Sequence, residues 1–164
     1  MRSLAIAAGL LALAVSCDLP APLPEPPTYE VVTSVATPGY AQDIFVRSDR
    51  AYVADGQAGL AVFDISDPRA PVLLGSVMDS LNEAYGVAAN ESLAFVAYGY
   101  KELLVARIDD PESLAVVGEL EYPQPGYGFA VALQDSFAYI AADAQFLVVG
   151  VADARYPNLS LIHI

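Results

Sequence analysis

Ala51-Tyr52-Val53-Ala54-Asp55-Gly56-Gln57-Ala58-Gly59-Leu60-Ala61-Val62-Phe63-Asp64-Ile65-Ser66-Asp67-Pro68 joins two short apolar runs through a glycine-bearing turn and ends on an Asp-Pro turn. The same order returns 43 residues later as Ala94-Phe95-Val96-Ala97, Leu103-Leu104-Val105-Ala106-Arg107-Ile108 and Asp110-Pro111. It returns 44 residues after that as Ala138-Tyr139-Ile140-Ala141, Phe146-Leu147-Val148-Val149-Gly150-Val151 and the remnant Asp153-Ala154. Repetition at a fixed period of about 20–50 residues marks an architecture whose units cannot bury their apolar faces alone and must stack.

The units span about 39–77, 82–120 and 125–158. The first two align without gaps, placing Ile44 on Val87, Tyr52 on Phe95, Leu60 on Leu103, Pro68 on Pro111 and Gly75 on Gly118. The third needs one extra residue early and one deletion before Phe146. Each unit reads as four short strands, in the first about 41–47, 51–54, 60–65 and 72–77. Ser48-Asp49, Asp55 to Gly59 and Ser66-Asp67-Pro68 supply the turns between them. Ile44 and Val46 share one face of the first strand, and the near-continuous apolar third strand suits burial on both faces. Four antiparallel strands in roughly 40–45 residues is the arithmetic of a propeller blade. The expectation is therefore an all-β protein, a β-propeller of four-stranded antiparallel blades, with nearly three blades in 29–158. Val31-Val32-Thr33-Ser34-Val35 is expected to be a lone strand that completes the last blade.

The stretch Gly59-Leu60-Ala61-Val62-Phe63-Asp64-Ile65-Ser66-Asp67-Pro68, preceded by Ala51-Tyr52-Val53-Ala54-Asp55, resembles the LVIVD repeat, named after its third-strand signature. The resemblance covers about 39–158 and is strongest in the first unit, since Asp64 becomes Arg107 and then Gly150. It implies a bacterial secreted or surface-associated propeller, often a lipoprotein, with no general enzymatic activity.

The first seventeen residues fit that address. Met1-Arg2-Ser3 is a short charged start, and Leu4 to Ala14 is an apolar run of eleven residues. That is too short to span a bilayer but suits a signal-peptide core. Ala14-Val15-Ser16-Cys17 resembles the lipobox of bacterial lipoproteins, departing from it by Ala14 where leucine is usual. In that family the cysteine is acylated after the leader is removed, which explains an unpaired cysteine in an exported chain. Residues 18–28 hold five prolines between Leu19 and Pro27. They should form a stiff extended stalk of about 30 Å at ~3.1 Å per residue. The expected location is the bacterial envelope, lipid-anchored and facing the periplasm or exterior.

The last six residues, Leu159-Ser160-Leu161-Ile162-His163-Ile164, break the repeat. They match the forward translation of a transposon-adapter end used in sequencing libraries. They are expected to be foreign to the protein, leaving the propeller incomplete and His163 without meaning for chemistry.

Seven basic and twenty acidic residues give a net charge of −13. Nucleic acid is a poor partner for such a chain, because phosphate binding needs clustered cations. With His163 set aside, no Ser-His-Asp triad, Cys-His pair or usual zinc set can be assembled. Asp43, Asp55, Asp64, Asp67, Asp109, Asp110, Asp135, Asp143 and Asp153 lack the alternate spacing of a calcium loop, and Asp beside Pro starts a turn. No catalytic residue, metal or cofactor is expected. Tyr40, Tyr85 and Tyr127 fall where the first strand of each unit begins, placing their rings at one mouth of a central channel or between blades. Tyr98 and Tyr100 occupy the loop that differs between units, where contacts concentrate on a repeated scaffold. The leading expectation is a non-catalytic binding or scaffolding module for protein or glycan. The alternatives are a propeller-type hydrolase, lyase or oxidoreductase with its catalytic groups beyond this stretch, and a purely structural envelope component.

Overall fold

The computed structural model describes residues 28–78, 83–100, 102–121, 126–143, 145–152 and 158–159. The leader, Cys17, most of the stalk and residues 160–164 lie outside them. The chain divides into two compact units, Met1–Glu30 and Val31–Ile164. Of the first, residues 28–30 are described, exposed and without regular structure.

The second unit holds twelve strands in three antiparallel sheets, and the described residues include no helix. Blade 1 runs β1 (Asp43–Arg47), β2 (Arg50–Ala54), β3 (Leu60–Asp64) and β4 (Val72–Val77). Blade 2 runs β5 (Ala84–Ala89), β6 (Leu93–Tyr98), β7 (Glu102–Arg107) and β8 (Ala115–Glu121). Blade 3 runs β9 (Gly128–Gln134), β10 (Phe137–Ala142), β11 (Gln145–Gly150) and the short β12 (Asn158–Leu159). Each blade is a meander, with every strand paired to its neighbour in sequence, as two-residue hairpins such as Ser48-Asp49 and Asp135-Ser136 require. The protein is an incomplete β-propeller of three blades.

Alternation along each strand sends neighbouring residues into different cores. Tyr52 of β2 faces blade 2 and joins Leu60, Val62, Val87, Val96 and Leu104 in one buried cluster. Val53, its neighbour, turns the other way and packs with Ala51, Ala61 and Phe63. Phe95 repeats the role of Tyr52 one blade on, packing with Leu103, Ile140, Leu147 and Val149. Leu60 to Phe63 are all buried, as the double-sided reading of the third strand requires. A register shift recurs at the same place in two blades, between Val62 and Phe63 and between Val105 and Ala106. Such a bulge re-aims the outer strand and increases its twist.

Two sequence expectations meet a different outcome at the edges. Val31 to Val35 form no strand, and Val31 and Val32 stand exposed. A strand needs an adjacent backbone to satisfy its amides, and no described strand pairs with this segment. At the other end Leu159, assigned to the foreign tail, pairs with Val149 in β12.

Candidate functional site

The inner strands of adjacent blades are stitched by a recurring joint. The β2–β3 turn of blade 1 reaches the start of β5, where Gly56 N donates to Ala84 O at 3.2 Å and Ala84 N donates to Gly56 O at 2.9 Å. One unit on, the β6–β7 turn reaches the start of β9 through a Tyr100–Tyr127 bridge, and Gly128 N donates to Gly99 O at 3.4 Å. Gly56 and Gly99, at equivalent positions, both take left-handed backbone with φ near +55° and +53°, which glycine adopts without penalty. Asp143 takes that conformation in the third unit, with φ +37°; Asp is among the few side chains that tolerate it.

The two joints carry different side chains. In the second, Tyr127 stands where the first has Ala84, and Tyr100 stands where it has Gln57. Tyr127 lies 5.6 Å from Tyr100 and 6.2 Å from Tyr85, edge to face in both pairs. Phe129 lies 6.0 Å from Tyr85 and stacks on Tyr127 at 6.4 Å. These separations are those of favourable aromatic pairs. Tyr100, Tyr127 and Phe129 are each more than two-fifths exposed. Polar groups border the rings: Tyr85 Oη donates to Glu83 Oε2 at 3.0 Å, and Gln57 Nε2 donates to Glu83 Oε1 at 3.1 Å. The hydrogen bond to Glu83 holds the Tyr85 phenol above its usual pKa, helped by partial burial and the nearby negative charge.

Comparison with protein families identifies the scaffold beneath this rim: the LVIVD repeat model matches residues 38–79 and 125–163. This is an LVIVD repeat-containing protein. A comparison with curated proteins finds no match. The middle LVIVD-like unit, where Arg107 replaces the signature Asp64, lies between the two matched stretches. The second match runs past Asn158, through residues assigned from sequence to a foreign tail.

Of the five tyrosines singled out from sequence, three meet in the rim: Tyr85, Tyr100 and Tyr127. Tyr40 stands outside these ring contacts, 73% exposed. Tyr98 is not a loop residue, which corrects its assignment as a contact. β6 and β7 each extend one residue further than β2 and β3, so Tyr98 pairs with Ala84 and Glu102 and is 1% exposed. Phe129 was missed, although it lies two residues after Tyr127 and so shares its side of the strand.

The LVIVD carboxylates act mainly on backbone. Asp55 is fully buried and accepts Thr37 Oγ1 at 2.6 Å and Gly39 N at 2.7 Å. Asp143 repeats the clamp more openly, accepting Tyr127 N at 2.9 Å. Asp43 Oδ2 crosses between blades to accept Val87 N at 3.0 Å. Asp67 and Asp110 accept the amides of Arg69 and Glu112 within their turns. The signature Asp64 accepts from Ser66, which together with Arg50 holds its carboxyl below the usual range. Among the described residues no group of three or more His, Cys, Asp or Glu is placed to hold a metal. At the opposite end of the inner strands, Phe45, Ala88, Val131, Leu133, Arg47 and Asp135 line a cavity of about 410 Å³.

Proposed function

We propose that this LVIVD repeat protein is a non-catalytic binding module of the bacterial cell envelope, tethered by a lipid on Cys17 and recognising its ligand through the aromatic rim. The observation that carries this reading is the convergence of Tyr85, Tyr100, Tyr127 and Phe129 from β5, the β6–β7 turn and β9. Exposed rings with polar tips are the usual anchors of recognition surfaces. The bridge beneath them pre-orders the surface, so less binding energy goes to fixing side chains.

Between protein and glycan, the chemistry favours glycan. Ring faces pack against the C–H faces of a sugar, while Glu83 and Gln57 at the border can accept from and donate to its hydroxyls. A net charge of −13 suits neutral or amino sugars better than polyanions. The chain has no tryptophan, so its intrinsic emission comes from tyrosine. Titration of the full chain with soluble peptidoglycan fragments should change that emission. Tyr127→Ala should weaken binding about tenfold or more, as loss of a central aromatic anchor does, and Tyr40→Ala should leave it unchanged. Equal affinity in wild type and Tyr127→Ala would remove the rim from the reading. Tethering has its own test: Cys17→Ser should move the protein from the membrane to the soluble fraction, and acyl labelling that persists in that variant contradicts it.

A further inference from the structure

Both internal joints bury the same two half-faces. The forward face of blade 1 presents Phe45, Tyr52, Leu60 and Val62 to the backward face of blade 2, with Val87, Ala94, Val96 and Leu104. The forward face of blade 2 presents Ala88, Phe95, Leu103 and Val105 to Val131, Ala138, Ile140 and Leu147 of blade 3. The forward face therefore carries the large ring in the second strand, and the backward face carries alanine and branched aliphatic residues that receive it. The two halves are unlike, so neither can pair with itself.

Blade 3 builds a forward face from the same positions: Ala132, Tyr139, Phe146 and Val148. Here the pattern of burial fails. Phe146 is 61% exposed, where its equivalents Leu60 and Leu103 are 1% and 0% exposed. Tyr139 stacks on Phe146 at 6.0 Å and 17°, and Ala132 is exposed. Blade 1 shows the complementary half at the other end of the molecule. Ile44 and Val46 are exposed on its backward face. Beside them Val35, Thr37, Ala51, Val53 and Phe63 line an almost wholly apolar cavity of about 190 Å³.

We propose that a second copy of this chain covers these faces, the forward face of blade 3 in each copy docking on the backward face of blade 1 in the other. The occupant is specified by the joints already in the molecule, because a forward face is received by a backward face at both of them. Two copies of three blades make six, within the range of about four to eight at which propellers close. A heterologous contact closes into a ring when its rotation divides a full turn, and that closure leaves no exposed sheet face.

Sedimentation velocity of the full chain in density-matched detergent tests this over roughly a hundredfold range of concentration. The expected result is a dimer that does not grow further. Phe146→Asp on one face, and Ile44→Asp with Val46→Asp on the other, should each raise the dimer dissociation constant at least a hundredfold. All three positions are exposed, so the blades should keep their fold, and Ala132→Arg gives an independent block on the forward face. Mixing the two blocked proteins should return a heterodimer, since one wild-type joint survives. A monomer at every concentration overturns the proposal, as it would if a further blade of a longer chain covered the faces. A dimer indifferent to all of these substitutions, or a polymer that lengthens with concentration, also overturns it.

Discussion

At the joint between blades 1 and 2, Asp43 spans the gap with its carboxylate and accepts the Val87 amide. One unit later the equivalent residue is Gly86, and the inner strands come together backbone to backbone. A Cβ at Gly86 would lie 2.7 Å from both Ala130 Cα and Phe129 O. The first joint is topped by Ala84 and Gln57, the second by Tyr127 and Tyr100. Both keep the turn-to-strand bridge and the left-handed glycine. The repeat therefore conserves a backbone contact and leaves the side chains above it free to diverge. The second joint has spent that freedom on a surface.

The largest expected effect comes from forcing the second joint apart. Gly86→Ala should cost about 3 kcal/mol, the upper end of overpacking penalties, because the obstructing atoms are backbone; a urea midpoint close to wild type would show that the strands can separate freely. Asp43→Ala removes the side-chain span from the first joint and should cost about 2 kcal/mol, since the Val87 amide loses a charged acceptor. Denaturation curves of the two variants together would show whether the joints fail separately or as one. Gly56→Ala should cost about 1–2 kcal/mol from left-handed backbone alone, with the added Cβ 3.1 Å from Tyr40 O. Gly99→Ala should match it if the two bridges are equivalent. The smallest effect separates the rim from its support. The Tyr85 phenol has a raised pKa in the folded state, so the stability it draws from Glu83 is present below pH about 10 and lost as pH rises through the folded value. Tyr85→Phe should therefore lag wild type at pH 8 and lose that deficit in strong alkali, as thermal melts at the two pH values would show.

The strands were legible because period and alternation are local properties. Leu60 to Phe63 read as doubly buried and are so, and Tyr52 and Phe95 fall at one position in two blades. Tyr85 and Tyr127 were legible as a pair for the same reason. Their meeting with Tyr100 was not, because it depends on the β6–β7 turn crossing to the next blade. Tyr98 was misplaced because unit 1 has a turn residue, Asp55, at its position, and one extra strand residue reverses exposure. The burial of Asp55 was equally hidden. Its partners, Thr37 and Gly39, precede the repeat signature, and only the folded turn brings them to it.

Asp55 has a mechanical consequence. In the tethered arrangement proposed, any pull on the lipid end travels along the stalk and enters the folded body before Asp43, where β1 begins. It meets first the Thr37 hydroxyl and the Gly39 amide, both held by one buried carboxylate at 2.6 and 2.7 Å. Those two charge-assisted bonds share the load side by side, whereas the ladder of β1 would give way one rung at a time. The acid that looks like a turn residue in the sequence thus serves as strain relief, keeping drag on the anchor from peeling the innermost strand out of the first blade.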